Sequence, residues 1–312
     1  MTSYATLRGC REAQRVANGQ VAEDAKLAEL IEIASARIDR YTGEWFNETV
    51  ATFSFTVRLG ARDLDLYATG RPLLAITALT NGDGAAIPSD EYTLLPTHGY
   101  PKRRLELTER YFWSQPAGAL VYEDPDLIHV RASAFTVSER GAHYLGYGRA
   151  AYLPDRVSIA GMWGHHRDYT RAWESTTLTG TVANATSTTL TLSAAAGTQI
   201  DVGSVIRLGT EYMLVTGPVA NFGSQTAITV RRGYNGSTPS DHAAAPVWAW
   251  RMEPPVELAC QMLVAAYYAA RNNPAGDRLV VPDLGAVQVP SRMPDKVRDL
   301  LAAYVNPFTG GV

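Results

Sequence analysis

Apolar residues recur at three- and four-residue steps near the start of the chain, and this period predicts two helices. The clearer one covers residues 27–41, where apolar side chains fall on one side, charged ones fall largely on the other, and Gly43 supplies a stop. The shorter one is predicted from Thr6, whose hydroxyl can cap it, to Val16. Each helix therefore needs a partner for its apolar face.

The C-terminal region has the same period. Prolines at positions 254 and 255 favour a helix start, because a proline in the first turn gives up an amide that has no partner there. From Val256 to Ala270 the apolar side chains form two stripes, which predicts burial on more than one side. A strand-like stretch, Leu279–Val289, precedes a last helix that begins at Pro294. We expect the helices of the two chain ends to pack on one another.

From Thr49 the period changes to two, which is the period of β-strands. Turn signals such as Asn81-Gly82-Asp83-Gly84 separate the alternating segments, because Gly and Asn adopt positive φ at little cost. The predicted strands are 53–57, 64–66, Leu73–Leu79, Tyr92–Leu95, Arg104–Leu107, Ala119–Tyr122, Ile128–Ala132 and Val157–Gly161.

Residues 175–250 differ in composition from the rest of the chain. No charged residue occurs between Ser175 and Ile200, and short alternating segments follow as far as Trp250. This pattern predicts a small β-barrel or sandwich inserted as a module, although the threonine-rich run is also compatible with a linker. The predicted fold class is α+β, a helical hub built from the N- and C-terminal helices that carries β-rich insertions. The hub comprises residues 1–48 and 251–312, the first insertion comprises residues 49–174, and the module comprises residues 175–250.

Composition narrows the class of protein. The chain has 312 residues, a formal net charge of −3, 19% charged residues and 46% hydrophobic residues. Such a chain can bury substantial cores, whereas a nucleic-acid clamp would need an excess of Lys and Arg. Cys10 and Cys260 share no spacing typical of a disulfide framework or a zinc site, and we expect both to be reduced. Neither a signal peptide nor a membrane span is predicted, because the apolar run Leu258–Ala270 is too short.

Candidate catalytic and metal-binding residues are few. His165, His166 and Asp168 form the most metal-like cluster, yet adjacent histidines in a strand point to opposite faces. Glu123 and Asp126 could serve as the carboxylate pair of a hydrolase, but their place around a proline is more typical of an exposed turn. The sequence contains no nucleotide-binding or nucleophile motif. We predict no catalytic, cofactor or metal site and no enzymatic activity, with a hydrolase as the alternative.

Two further sets of residues have both a functional and a structural interpretation. The runs Lys102-Arg103-Arg104 and Arg231-Arg232 could contact phosphate, although short basic runs usually lie at solvated strand ends. A set of aromatic residues could stack on sugars, but apolar neighbours favour core positions for it. That set comprises Trp45, Phe46, Trp163, Trp248 and Trp250.

Several short motifs follow one another along the chain in a definite order. They are Tyr4-Ala5-Thr6-Leu7, the helix 27–43, Arg71–Thr77, Asp90–Pro96, Val157–Gly164, and the closing helices from Pro254 and Pro294. In this order they resemble the head–tail connector (adaptor) family of tailed bacteriophages. The segments Asp201–Ile206, Glu211–Thr216 and Arg232–Ser237 resemble a β module of many phage structural proteins. Residues 108–156 and the module have no counterpart in the compact form of the family.

The resemblance implies a homo-oligomeric ring, twelve-fold in the family, that docks beneath the portal protein of the DNA-filled head. Its other side would contact a stopper or tail-completion protein, and DNA would pass through the lumen without sequence-specific binding. The implied location is the neck of the virion, with assembly in the host cytoplasm.

Two groups of residues follow from this interpretation. Contacts between copies are predicted for Leu258, Met262, Leu263 and Tyr267. The portal-facing side is predicted to use Val297, Leu301, Tyr304 and Phe308. The alternative is another phage neck, tail-completion or baseplate protein whose β module binds carbohydrate.

Overall fold

A computed structural model of the chain describes residues 3–14, 23–58, 60–66, 72–109, 111, 113, 152–218, 222–271, 279–281, 285–287 and 293–306. For residues 152–156, 271, 279–281 and 285–287 it describes the backbone alone. Within these ranges the fold is mixed α and β, with four α-helices and a closed barrel of six strands. The predicted strands Ala119–Tyr122 and Ile128–Ala132 lie outside the described residues, as do Glu123, Asp126 and Phe308.

The four helices occur where the apolar period predicts them. They are α1 (Leu7–Gln14), α2 (Asp24–Thr42), α3 (Pro254–Arg271) and α4 (Asp295–Leu301). Gly43 ends α2 as predicted, because its φ of 68° lies in the left-handed region that favours glycine. Its amide donates a hydrogen bond to the carbonyl of Asp39 at 2.8 Å, which satisfies one carbonyl of the last turn.

Helices from the two chain ends share one core. α3 contacts α1, α2 and α4. Leu263 and Tyr267 of α3 belong to the same cluster of buried apolar residues as Leu27 and Ile38 of α2. Burying a large apolar side chain typically stabilises a fold by about 1.5–3 kcal/mol, so these contacts are substantial. The two chain ends therefore stabilise each other.

Two small antiparallel sheets follow α2. The first has the order β1-β6-β3, with β1 at Thr49–Arg58, β3 at Leu73–Thr80 and β6 at Tyr152–Trp163. The second has the order β2-β5-β4, with β2 at Asp63–Asp65, β4 at Tyr92–Leu95 and β5 at Arg104–Leu107. One hydrophobic cluster, which includes Leu105, Trp113 and Trp163, lies between them.

Residues 173–250 form the closed barrel, with strands in the spatial order β10-β11-β8-β7-β12-β9. The strands are β7 (Trp173–Val182), β8 (Thr189–Leu192), β9 (Val205–Leu208), β10 (Glu211–Gly217), β11 (Ala227–Arg231) and β12 (His242–Trp250). The threonine-rich run supplies β7 and β8, so the linker interpretation is wrong. Alternation explains this: Leu178 and Leu190 point inward and are buried, whereas Thr181 and Thr191 are exposed.

The barrel shares its core with the helices. Buried residues of the barrel interior and of the helical region belong to one continuous hydrophobic cluster. The amide of Leu7 donates to the carbonyl of Val202 at 2.9 Å, which ties α1 to the barrel. Gly203 permits this approach, because its φ is +90° and a Cβ there would lie 2.8 Å from the carbonyl oxygen of Ala5.

The stretch after α3 differs from its prediction as a single strand. β13 (Leu279–Val281) and β14 (Gly285–Val287) pair antiparallel as a hairpin. The residues between the two strands, 282–284, lie outside the described residues.

Candidate functional site

The outer face of α3 carries a row of apolar side chains, which we call the α3 outer face. It consists of Leu258, Met262, Ala265 and Ala269, at steps of four, three and four residues, so that all four lie on one side of the helix. Leu258 is 47% exposed, Ala269 is exposed, and Met262 and Ala265 are half-buried. An uncharged apolar row on a helix surface is typical of a contact with another element.

The four residues predicted to join copies divide into two pairs. Leu258 and Met262 belong to the α3 outer face, whereas Leu263 and Tyr267 are fully buried in the core of the same chain. The assignment of Leu263 and Tyr267 to a subunit contact therefore needs correction, because neither has surface left to offer a second copy. Position 263 follows 262 by about 100° of helical rotation, which turns it towards the core.

The residues predicted to face the portal also need correction. Val297, Leu301 and Tyr304 are buried, and all three belong to the cluster that includes the inner face of α3. The apolar stripe of α4 is covered within the chain, so its regular spacing reflects core packing. Phe308 lies outside the described residues.

A buried carboxylate, Glu253, joins the C-terminal segment to the start of α3. Its side chain accepts hydrogen bonds from the hydroxyl of Tyr304 at 2.5 Å and from the amide of Arg167 at 2.5 Å. His165 Nδ1 lies 3.5 Å from Glu253 Oε1. Burial raises the pKa of Glu253, but the interactions with His165 and Tyr304 outweigh it and hold the pKa below its usual range. The backbone carbonyl of Glu253 also accepts from the amides of Val256 and Glu257, so this residue starts the helix.

A second buried carboxylate, Glu48, joins the barrel wall to the first sheet. Glu48 Oε1 accepts hydrogen bonds from the hydroxyls of Tyr212 at 2.5 Å and Tyr169 at 3.1 Å, and Oε2 accepts from the indole of Trp173. Burial, together with the negative charge of Glu48, raises the pKa of both tyrosines. These groups fix the barrel against the rest of the chain.

A third buried carboxylate, Glu211, closes one end of the barrel. Arg232 pairs with it through two parallel hydrogen bonds of 2.5 and 2.7 Å, and His242 Nε2 lies 2.9 Å from Oε2. The amides of Gly233 and Ser240 donate to the same carboxylate. Burial raises the pKa of Glu211, but these donors, Arg232 first among them, hold it below the usual carboxyl range.

His166, one of the three residues of the metal-like cluster, is engaged in hydrogen bonds within the chain. His166 Nε2 lies 3.0 Å from the carbonyl of Arg251, to which it donates, because Nδ1 accepts from the amide of Asp168 at 3.2 Å. Burial lowers the pKa of His166. Among the described residues, no group of three His, Cys, Asp or Glu side chains could hold a metal ion.

The two basic runs are engaged within the chain. Lys102 is buried, and its Nζ donates to the carbonyls of Pro96 at 2.8 Å and Thr97 at 3.2 Å. Arg232 pairs with Glu211, and the guanidinium of Arg231 lies 4.9 Å from the centre of the Tyr234 ring. These contacts support the structural interpretation of both runs.

The aromatic set does not form one platform. Phe46 and Trp163 are fully buried, and Trp250 is nearly so. Trp248 is half-buried on the barrel wall, with the guanidinium of Arg207 5.7 Å from its ring centre. Trp45 is 40% exposed, which its position between α2 and β1 did not predict.

A cavity of about 220 Å³ lies between residues 3–8, the barrel loop 198–205 and the start of α3. Two ion pairs line it, Arg8 with Asp201 at 3.7 Å and Arg251 with Glu174 at 3.2 Å. This volume is below the roughly 300 Å³ at which small-molecule pockets usually begin. Four of its charged side chains are paired with one another, and the fifth, Glu257, accepts a hydrogen bond from Gln261 at 3.3 Å, which fits a packing defect between elements.

Comparisons with known proteins return no match to a family model, to a curated protein or to a solved structure. In the part of the chain that the structure describes, no helix combines the length and the apolar character needed to cross a membrane.

Proposed function

We propose that the chain is a structural subunit of a bacteriophage neck, a head–tail connector that assembles with identical copies into a ring beneath the portal protein. The observation that carries this proposal is the α3 outer face, an uncharged apolar row in which Leu258 is 47% exposed and Ala269 is exposed, while Met262 packs in part on the core of the same chain. A second copy of the chain is the occupant that a ring requires. The sequence motifs resemble those of the connector family in their order, and this resemblance indicates the class of protein that we propose.

In this proposal the helices form the hub of the ring, and the barrel is carried at its side. The shared core of α1, α2, α3 and α4 supports a hub, because contacts between the chain ends hold the helices in a fixed arrangement. The portal contact is assigned to residues after Asn306, with Phe308 as its anchor. The other three predicted anchors are already used in the core.

The charge of the chain suits a conduit for DNA. Twelve copies would carry twelve times the formal net charge of −3, and the runs Lys102–Arg104 and Arg231-Arg232 are engaged internally. Affinity for DNA comes mainly from phosphate neutralisation, so such a ring would guide a polyanion without holding it. Twelve weak contacts with the portal would add up, because each contact after the first is intramolecular.

Native mass spectrometry of the full chain mixed with its candidate portal tests the proposal. We expect one particle whose mass equals the portal plus a ring of this chain. Leu258→Glu should abolish the added mass, whereas Ala36→Glu, on an exposed position of α2, should leave it unchanged. A portal that gains no mass from the wild-type chain would overturn the proposal.

A carbohydrate-binding tail or baseplate protein is a second candidate. Half-buried Trp248 favours it, because β7 and β8 of the barrel wall carry many hydroxyls and a single charged residue, Glu174. Binding of the full chain to a glycan array, lost in Trp248→Ala but kept in Leu258→Glu, would favour this role over the neck ring.

A further inference from the structure

A closed ring requires two different contact surfaces on each copy, because head-to-tail contacts join unlike patches. Under the proposed function, the α3 outer face is one of these surfaces. The other must lie elsewhere on the same chain, where it has remained exposed. Leu258 and Trp45 are the exposed large apolar side chains among the described residues.

Trp45 lies in a well-fixed place between α2 and β1. Its carbonyl oxygen accepts a hydrogen bond from the amide of His165 at 2.5 Å, which anchors the backbone. The indole lies 6.2 Å from the ring of Phe53, at 42° to it, and remains 40% exposed. A tryptophan held in this way loses little conformational entropy on binding, and tryptophan is enriched among residues that dominate interfaces.

Exposed charged residues near the two surfaces differ in sign. The exposed Glu12 belongs to α1, which packs on α3. Arg40 is exposed in the last turn of α2, five residues before Trp45. Opposite charges around apolar patches favour one relative orientation and oppose contact between two like patches.

The shapes of the residues also fit. Leu258 and Met262 supply bulk on the α3 outer face, and the methyl groups of Ala265 and Ala269 leave room for a large ring beside them. Methionine adapts its shape and contacts aromatic rings favourably through its sulfur. We propose that Trp45 of one copy packs on Leu258 and Met262 of the next, and that this contact repeats around the ring.

Mixing two variants that each lack one surface tests this pairing. The pairing rests on the proposed function only because it assumes that the copies form a ring. Trp45→Glu keeps the α3 outer face, and Leu258→Glu keeps Trp45. We expect each variant alone to be monomeric, with a loss of self-association of about thirty-fold or more, as for a central interface residue. The equimolar mixture should form a one-to-one dimer and nothing larger, because one intact contact remains per pair.

Native mass spectrometry and analytical ultracentrifugation provide the readout, with thermal unfolding to establish that both variants fold. Ala36→Glu is the matched control and should assemble as the wild type does. Two monomeric variants that do not combine would overturn the pairing, and so would a Trp45→Glu chain that still forms rings. If either result is obtained while the wild-type chain still forms a ring, the pairing fails and the proposed function stands. A monomeric wild-type chain would instead overturn the ring.

Discussion

The barrel and the helical region cover their apolar residues in different ways. The barrel closes on itself, so each strand has a neighbour on both sides, and exposed threonines such as Thr181, Thr191 and Thr229 form its wall. The helical region covers the inner faces of α3 and α4 but leaves Leu258 and Ala269 of the α3 outer face exposed. A closed barrel completes its own surface, whereas we propose that this helical region is completed by another copy of the chain.

The largest difference in stability is expected between substitutions on the two sides of α3. Leu263→Asp places a charge in a fully buried site, and we expect the chain to fail to fold, because an unpaired buried charge costs more than about 4 kcal/mol. Leu258→Asp, on the exposed side, should change the free energy of unfolding by less than about 0.5 kcal/mol. Circular dichroism with urea unfolding measures both. A folded Leu263→Asp chain with the wild-type midpoint would show that the core is wrongly assigned.

The next effect concerns the closed end of the barrel. Glu211→Ala leaves Arg232 without its buried partner, and such a loss typically costs about 3–5 kcal/mol. The exposed pair of Glu174 with Arg251 is the control, since Glu174→Ala should cost at most about 1 kcal/mol. Thermal unfolding of both variants decides whether the ion pair of Glu211 closes the barrel; equal losses would contradict it.

Two buried glutamates should respond to pH with opposite sign. The lowered pKa of Glu211 means that its contribution to stability is present above pH 4.5 and is lost as the pH falls through its folded pKa. In the helical region, Glu44 Oε1 accepts from Asn306 Nδ2 at 3.2 Å, Oε2 has no partner among the described residues, and Arg103 is the nearby charge. Burial raises the pKa of Glu44 to about 7.

Glu44 should therefore make the chain less stable as the pH rises from 4.5 to about 7, by up to about 3 kcal/mol, with no further loss above that range. Glu44→Gln keeps the shape and removes the titration, so its advantage over the wild type should grow between pH 5 and pH 8. Urea unfolding at the two pH values measures this difference. A constant difference between variant and wild type would contradict the burial of an ionisable carboxyl at this place.

The smallest effect is expected on the barrel wall. Thr191→Lys adds a charge to an exposed position of β8, and the free energy of unfolding should change by less than about 0.5 kcal/mol. Assembly should be unaffected as well. A loss of assembly in a well-folded Thr191→Lys chain would move the contact between copies from α3 to the barrel.

The sequence predicts the elements well, because periods of 3.6 and 2 reflect local geometry. Helix α2 and its end at Gly43 follow from that pattern, and so does the β character of residues 175–250, whereas the threonine-rich run that forms β7 and β8 was also compatible with a linker. The partners of Glu211 do not, since Arg232 and His242 approach it only through the strand order of the closed barrel. Leu258 and Leu263 are both apolar residues of one helix, and the pattern cannot tell which side the other helices cover. The spacing of Ala265 and Ala269 from Leu258 was the available signal for the outer face.

We propose that another copy of the chain covers the α3 outer face, and the oxidation of Met262 gives a direct test of this contact. Hydroxyl-radical footprinting across a series of protein concentrations would follow the conversion of this half-buried methionine to its sulfoxide. We expect Met262 to become protected, together with Leu258, as the chain assembles, while Trp248 on the barrel wall keeps its reactivity. Equal reactivity of Met262 in the assembled and the dissociated chain would contradict it.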